Sequence, residues 1–164
     1  MGIMSSKKNK ALFLDRDGTI NIEKGYVFRI KDFEFRPGIF DLIRKYQQQN
    51  YLIIIVTNQS GIARGFYTEK EFRTLSEWMT KTFQSEKINI TKIYHCPHHP
   101  DFTGKCTCRK PAPGMILQAI REFNINPGSS VLIGDKKSDI SAGKNAGIGR
   151  NLLIRDIFEK INSD

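Results

Sequence analysis

Asp15 and Asp17 stand two residues apart, directly after the apolar run Ala11-Leu12-Phe13-Leu14, and Gly18-Thr19 follow them. A carboxylate pair at the end of a buried strand can do phosphoryl chemistry. Asp15 can attack phosphorus and form an acyl phosphate, which splits hydrolysis into two steps. Asp17 can protonate the leaving oxygen and then deprotonate the attacking water. One carboxylate cannot fill both roles in one step, so the pair carries the meaning. Asp135, after the apolar Val131-Leu132-Ile133, can complete an oxygen site for Mg²⁺. Thr57, after Leu52 to Val56, offers a hydroxyl to a phosphate oxygen, and Lys110 is the best placed cation to finish the cradle. Asp139 either caps a helix that begins near Ser138 or orients Asp135 and the waters of the metal.

A second group of residues has ligand chemistry of another kind. All three cysteines lie between positions 96 and 108, beside two of the three histidines. Cys96-x-His98 followed by Cys106-x-Cys108 supplies four ligands of the kind tetrahedral Zn²⁺ takes. His99 and His95 are alternatives to His98. A disulfide is the rival reading, but three cysteines leave one over and cytosolic chains seldom keep disulfides. Four protein ligands close such a site, so the zinc is expected to be structural and to staple a polar loop. Arg109 and Lys110 follow Cys108 directly, so fixing the loop fixes two cations beside the aspartates.

These residues need a scaffold that brings strand ends together. Five segments read as strands: Ala11–Leu14, Leu52–Val56, Lys92–Tyr94, Val131–Ile133 and Leu152–Ile154. Helical spacing covers Gly38 to Tyr46, Thr68 to about Ser85, Pro113 to Phe123, and Ser138 to about Asn145. Thr68-Glu69-Lys70-Glu71 is a capping-box pattern. Alternating strands and helices predict an α/β fold, a mostly parallel sheet in three layers. Ligands in such sheets bind beyond the carboxyl ends of the strands. Three of the first four strand ends carry groups suited to phosphate or metal. No amphipathic helix is left over, and a monomer is expected.

The 164 residues suit one domain spanning 1–164. A net charge of +9 excludes nothing alone and fits either a solvated basic surface or an anionic partner. A zinc-stabilised basic module binding nucleic acid or protein leaves Asp15, Asp17 and Asp135 unexplained, because acidic strand ends repel phosphate backbones. The expected partner is a small phosphorylated molecule, with no nucleic acid and no membrane. No apolar run approaches the roughly 18 residues of a membrane span. The basic start Met1 to Lys8 has no apolar stretch behind it, so a cytoplasmic location is expected.

Asp15-x-Asp17-Gly18-Thr19, Thr57-Asn58, Lys110, and Gly134-Asp135 with Asp139 together resemble the haloacid dehalogenase superfamily of phosphatases. The resemblance runs from about Ala11 to Ile154 and implies a Rossmann-like, capless fold with an inserted loop over 96–108. The cysteine loop narrows it to two branches, phosphatases of heptose 1,7-bisphosphate and of histidinol phosphate. Thr57 to Gly65, Cys96 to Pro100, Gly134-Asp135-Lys136 and Asn21 to Tyr26 favour the heptose branch. The histidinol branch usually has an acidic residue where Ser60 stands.

The resemblance implies Asp15 as nucleophile and Mg²⁺ ligand. Asp17 is implied as acid/base, ligating through its backbone carbonyl, and Asp135 as the third ligand. Thr57 and Lys110 would stabilise the transferring group, and Arg109 would recognise a distal phosphate. Glu23, Lys24, Gly25, Tyr26, Asn58, Gln59, Ser60 and Lys136 would line the substrate site. The resemblance also implies that Arg64 would stand near that second phosphate. The implied reaction is removal of the C7 phosphate of a sugar bisphosphate, in the making of nucleotide-activated heptose.

Overall fold

The computed structural model of the protein describes residues 6–163. The first residues of the basic start lie outside that range. Five strands form one parallel sheet in the order β3-β2-β1-β4-β5. They are β1 (Lys10–Leu14), β2 (Tyr51–Asn58), β3 (Ile90–Cys96), β4 (Val131–Gly134) and β5 (Arg150–Leu153). The helices are α1 (Ile39–Gln48), α2 (Glu69–Ser85), α3 (Pro100–Thr103), α4 (Gly114–Glu122), α5 (Lys137–Asn145) and α6 (Ile154–Ile161).

The strands are apolar on both faces, as a parallel sheet covered twice requires. Leu12, Leu14, Ile53, Ile55, Val131 and Ile133 enter one core with Ile39, Ile43, Leu75, Met79, Phe83 and Ile154. Thus α1, α2 and α6 cover that face. Ala11, Phe13, Ile54, Val56 and Leu132 enter the other core with Met115, Ile116, Ala119 and Ala142 from α4 and α5. The alternation is the period of two that a strand imposes. Thr68 caps α2: its hydroxyl accepts from the Glu71 N–H, and the Glu71 carboxylate accepts from the Thr68 N–H.

The chain moves outward from β1 through β2 to β3, then returns to place β4 on the other side of β1. That reversal puts the switch point between the ends of β1 and β4, where Asp15 and Asp135 stand. Two expectations need correction. Leu152–Ile154 is not a continuous strand: pairing with β4 ends at Gly134 opposite Leu153, and Ile154 opens α6. No helix is expected after the last strand, yet α6 follows it, burying Ile154 and packing Ile157 and Phe158 on the core. Among the described residues no helix is long and apolar enough to cross a membrane.

Candidate active site

The turn after β1 is built around one carbonyl. The N–H groups of Thr19, Ile20 and Asn21 all donate to Arg16 O, at 3.1, 2.8 and 3.2 Å. Gly18 has φ +84°, and a Cβ there would lie 2.0 Å from Asp135 Oδ2. Glycine is therefore required twice, for the left-handed backbone and for the approach of the β1 and β4 loops. Arg16, 1% exposed, points inward. Its guanidinium reaches both Asp17 oxygens at 3.1 Å and donates to Val27 O at 2.6 Å. Asn21 Nδ2 and Gln59 Nε2 also donate to Asp17, each at 3.1 Å. The Asp17 carboxylate is thereby fixed as an acceptor from three side chains.

Lys110 is as tightly held. Its ammonium donates to Asp15 Oδ1 at 2.8 Å and Val56 O at 2.8 Å, and pairs with Asp139 Oδ1 at 2.6 Å. All three ammonium protons are engaged. Burial works against the Lys110 charge, but the Asp15 and Asp139 carboxylates outweigh it and hold the pKa above its ordinary value. Burial pushes the Asp15 carboxyl up, and Lys110 pulls against it. The backbone of Lys110 is clamped by one side chain: Asn58 Nδ2 donates to Lys110 O at 3.2 Å, and Lys110 N donates to Asn58 Oδ1 at 3.0 Å.

Carboxylate oxygens of Asp15, Asp135 and Asp139 lie within 4.8 Å of one another. Asp139 is already spent: Oδ2 accepts from the N–H groups of Asp135 and Lys136, both at 3.1 Å, while Oδ1 faces Lys110. It accepts the Lys136 N–H at the start of α5, as the capping expectation has it, holds the Asp135 backbone, and also anchors Lys110, a contact neither expectation included. Asp135 Oδ1 is buried with no hydrogen-bond partner among the described residues. An unpaired buried carboxylate oxygen facing a second carboxylate is a donor set that fits a hard divalent cation.

The cleft over these groups has a volume of about 580 Å³ and is mostly polar. Of the expected residues it brings together Asp15, Asp17, Glu23, Gly25, Tyr26, Asn58, Gln59, Ser60, Arg64, Arg109, Lys110 and Lys136. Lys24 is not among them; it turns away to pair with Glu34 at 3.0 Å. Thr57 is 1% exposed and accepts from Gln59 Nε2 at 2.8 Å. Two residues expected to line the substrate are committed elsewhere, Asn58 to the Lys110 backbone and Gln59 to Asp17 and Thr57. Sequence reading missed Arg16 and Tyr67, and it placed Asn21 only in the Asn21–Tyr26 segment, not on Asp17. Arg16 carried a signal, a charged residue between two site aspartates on the inward-turning side of the loop. Arg64 meets His99 Nε2 at 3.1 Å and lies over the Phe102 ring, 5.2 Å from its centroid.

The cysteine loop closes beside this cleft. Cys96 ends β3, and its sulfur lies 3.6 Å from Cys106 Sγ, which lies 3.6 Å from Cys108 Sγ. Zn–S bonds of about 2.3 Å in a tetrahedron put sulfurs about 3.8 Å apart, whereas a disulfide needs about 2.05 Å. The spacing fits a shared metal and excludes a formed disulfide. Burial pushes the Cys96 thiol up, while Cys106 is held below its usual value against burial by the Arg109 N–H and by the Cys108 and Cys96 thiols. The His98 ring is not gathered with the three sulfurs. His99 and His95 are engaged with Arg64 and Glu69.

Comparison with known proteins matches this geometry to a family. The chain is 53% identical over 149 residues to D-glycero-alpha-D-manno-heptose-1,7-bisphosphate 7-phosphatase of Campylobacter jejuni, covering 91% of this chain and 84% of that one. The chain belongs to the heptose-1,7-bisphosphate 7-phosphatase family. The beta-anomer phosphatase of Haemophilus influenzae is 46% identical over 151 residues, covering 90% and 82%. Residues 107–159 match the Hydrolase_like family, described as HAD-hyrolase-like. The D,D-heptose 1,7-bisphosphate phosphatase of B. bronchiseptica, solved with magnesium and phosphate, superposes with a TM-score of 0.82 at 28% identity, covering 92% and 86%. Members of this family are phosphatases of the haloacid dehalogenase type, and the parallel sheet with its strand-end carboxylates is the expected fold. The heptose branch is supported over the histidinol branch.

Proposed function

We propose that the protein hydrolyses the C7 phosphate of D-glycero-D-manno-heptose 1,7-bisphosphate, giving heptose 1-phosphate and phosphate, in the making of nucleotide-activated heptose. The carrying observation is the cleft's second set of cations. Lys110 is committed to Asp15, whereas Arg64, Arg109 and Lys136 line the same cavity with no carboxylate partner among the described residues, Arg64 meeting the His99 ring and Phe102, and can serve an anionic group farther along the substrate. A substrate with two phosphates uses both sets. Ser60 at the cleft wall offers no acidic partner for the amine of histidinol phosphate.

Asp15 attacks the C7 phosphorus, the P–O bond to the sugar breaks, and Asp17 delivers a proton to the leaving alkoxide. Water then attacks the aspartyl phosphate, Asp17 takes its proton, and the bond to Asp15 breaks to release phosphate. Lys110 and Thr57 stabilise the transferring group. Asp15 and Asp135, with the Asp17 carbonyl, would hold Mg²⁺, which offsets repulsion between nucleophile and phosphate when bound. Cys96, Cys106 and Cys108, with His98 turned inward, would hold a structural Zn²⁺. All the site residues lie around one parallel sheet, which supports a single-domain enzyme, and its anionic sugar substrate supports a cytoplasmic location. The test is kcat/KM for heptose 1,7-bisphosphate and histidinol phosphate measured side by side. A large preference for the bisphosphate is expected, and preference for histidinol phosphate refutes the reading.

A further inference from the structure

Gln59 sits beside the reaction centre, yet its side chain is fully committed to the protein. It is 2% exposed, and its amide nitrogen donates to Asp17 Oδ2 at 3.1 Å and to Thr57 Oγ1 at 2.8 Å. A primary amide has two N–H donors, so both are used. Its backbone N–H is fixed to Cys96 O at 2.8 Å. A glutamine amide can flip, and the flipped form would turn its oxygen toward the Asp17 carboxylate. Tyr67 decides between the two. Its hydroxyl donates to Gln59 Oε1, and the phenol is 5% exposed and stacked on Phe28 with ring centroids 5.2 Å apart. Burial pushes the Tyr67 hydroxyl well above its ordinary pKa, so it stays protonated and remains a donor.

We propose that Gln59 and Tyr67 are positioning residues for Asp17, with Tyr67 locking the amide so that Gln59 aims the carboxyl at the leaving oxygen. The proposal rests on the reading of Asp17 as general acid. Arg16 reaches both Asp17 oxygens and Asn21 binds Oδ1, so Gln59 is the side chain whose one contact with Asp17 is Oδ2, which it shares with Arg16. In the step concerned, the P–O bond to the leaving group breaks as the Asp17 proton passes to that oxygen, leaving Asp17 as carboxylate.

A leaving group that is stable as an anion does not need this proton, whereas an alkoxide does. The measurement is kcat/KM, which reports phosphorylation of Asp15, for heptose 1,7-bisphosphate and for 4-nitrophenyl phosphate. Wild type, Tyr67→Phe, Gln59→Leu and Asp17→Asn are compared, with thermal unfolding to confirm folding. General acids contribute about 10²- to 10⁴-fold. Tyr67→Phe is expected to lower the sugar-to-aryl ratio of kcat/KM by roughly tenfold and Gln59→Leu by more, with Asp17→Asn lowering it most. Loosened Thr57 contacts would depress both substrates alike and leave the ratio unchanged. Equal losses on both substrates in Tyr67→Phe and Gln59→Leu, beside a selective loss in Asp17→Asn, overturn the proposal. Equal losses in Asp17→Asn overturn the general-acid reading instead. If Gln59→Leu does not fold, Tyr67→Phe, which keeps the ring and its stacking, decides alone.

Discussion

Replacing Lys110 with Met removes the cation on which two buried carboxylates depend while keeping the length of the side chain. The ammonium serves Asp15 Oδ1 at 2.8 Å, Asp139 Oδ1 at 2.6 Å and Val56 O at 2.8 Å. Asp15 is 7% exposed and Asp139 2%, so water does not replace what is lost. Removing one partner of a buried ion pair costs about 3–5 kcal/mol. Against a total stability of about 5–15 kcal/mol the variant still folds. At about 2–4 °C per kcal/mol for a chain of this size, Tm falls by about 6–20 °C. The pH dependence follows from sign. Burial already raises the Asp15 carboxyl and Lys110 pulls it down, so without Lys110 its folded pKa lies further above the unfolded one and its protonated form favours the folded state. The penalty is then smallest in acid and grows as pH rises from the unfolded value through the raised folded value of Asp15. Urea unfolding of both proteins at pH 5 and pH 8 measures it. A penalty under about 1 kcal/mol at pH 8, or one of equal size at both pH values, refutes the account of Lys110 as a buried counter-ion.

Gly18→Ala is expected to cost about 1–2 kcal/mol for an L-residue in the left-handed region. Its Cβ would also drive Asp135 from its place, 2.0 Å away, so the Mg²⁺ concentration for half-maximal activity should rise by about tenfold or more. An unchanged Mg²⁺ requirement would show that the two loops do not depend on that approach. Protein purified under reducing conditions should contain about one equivalent of zinc, and Cys108→Ser should lose it and raise KM for the bisphosphate, because Arg109 follows that residue. Metal analysis that finds no zinc in the wild-type protein sinks the cysteine-site reading.

The sheet and the reaction centre were legible because strand ends obey a positional rule that needs only apolar runs and the residues after them. Asp15, Asp17 and Asp135 stand at strand ends as that rule predicts, and Lys110 joins Asp15 from a loop that the rule does not cover. Side-chain direction beyond a strand end was not legible. Asn58 and Gln59 are consecutive with Thr57, yet one turns to the Lys110 backbone and the other to Asp17, and only the tertiary contacts decide this. Lys24 had the right neighbours in sequence and a nearer partner in Glu34. The last helix carried a readable signal: Ile154, Ile157, Phe158 and Ile161 have helical spacing, masked by the apolar run Leu152-Leu153-Ile154 that suits a strand equally.

The positions of β2 and β3 explain why a cysteine cluster belongs beside this reaction centre. Lys110 lies on a loop outside the strand ladder, and its ammonium must nevertheless stay within hydrogen-bond range of Asp15. Two anchors supply that order. Asn58 holds the Lys110 backbone from the end of β2, and the cysteine cluster ends two residues earlier at Cys108. Both start from one place, because Asn58 pairs in register with Cys96, the first cysteine of the cluster. Gln59, whose N–H binds Cys96 O, carries the same rigidity to Asp17. The Lys110 ammonium at Asp15 and the Asp17 carboxylate are therefore set by one strand pair. Loosening the cysteine loop should disturb both the phosphoryl cradle and proton delivery while leaving Asp15 in place on β1.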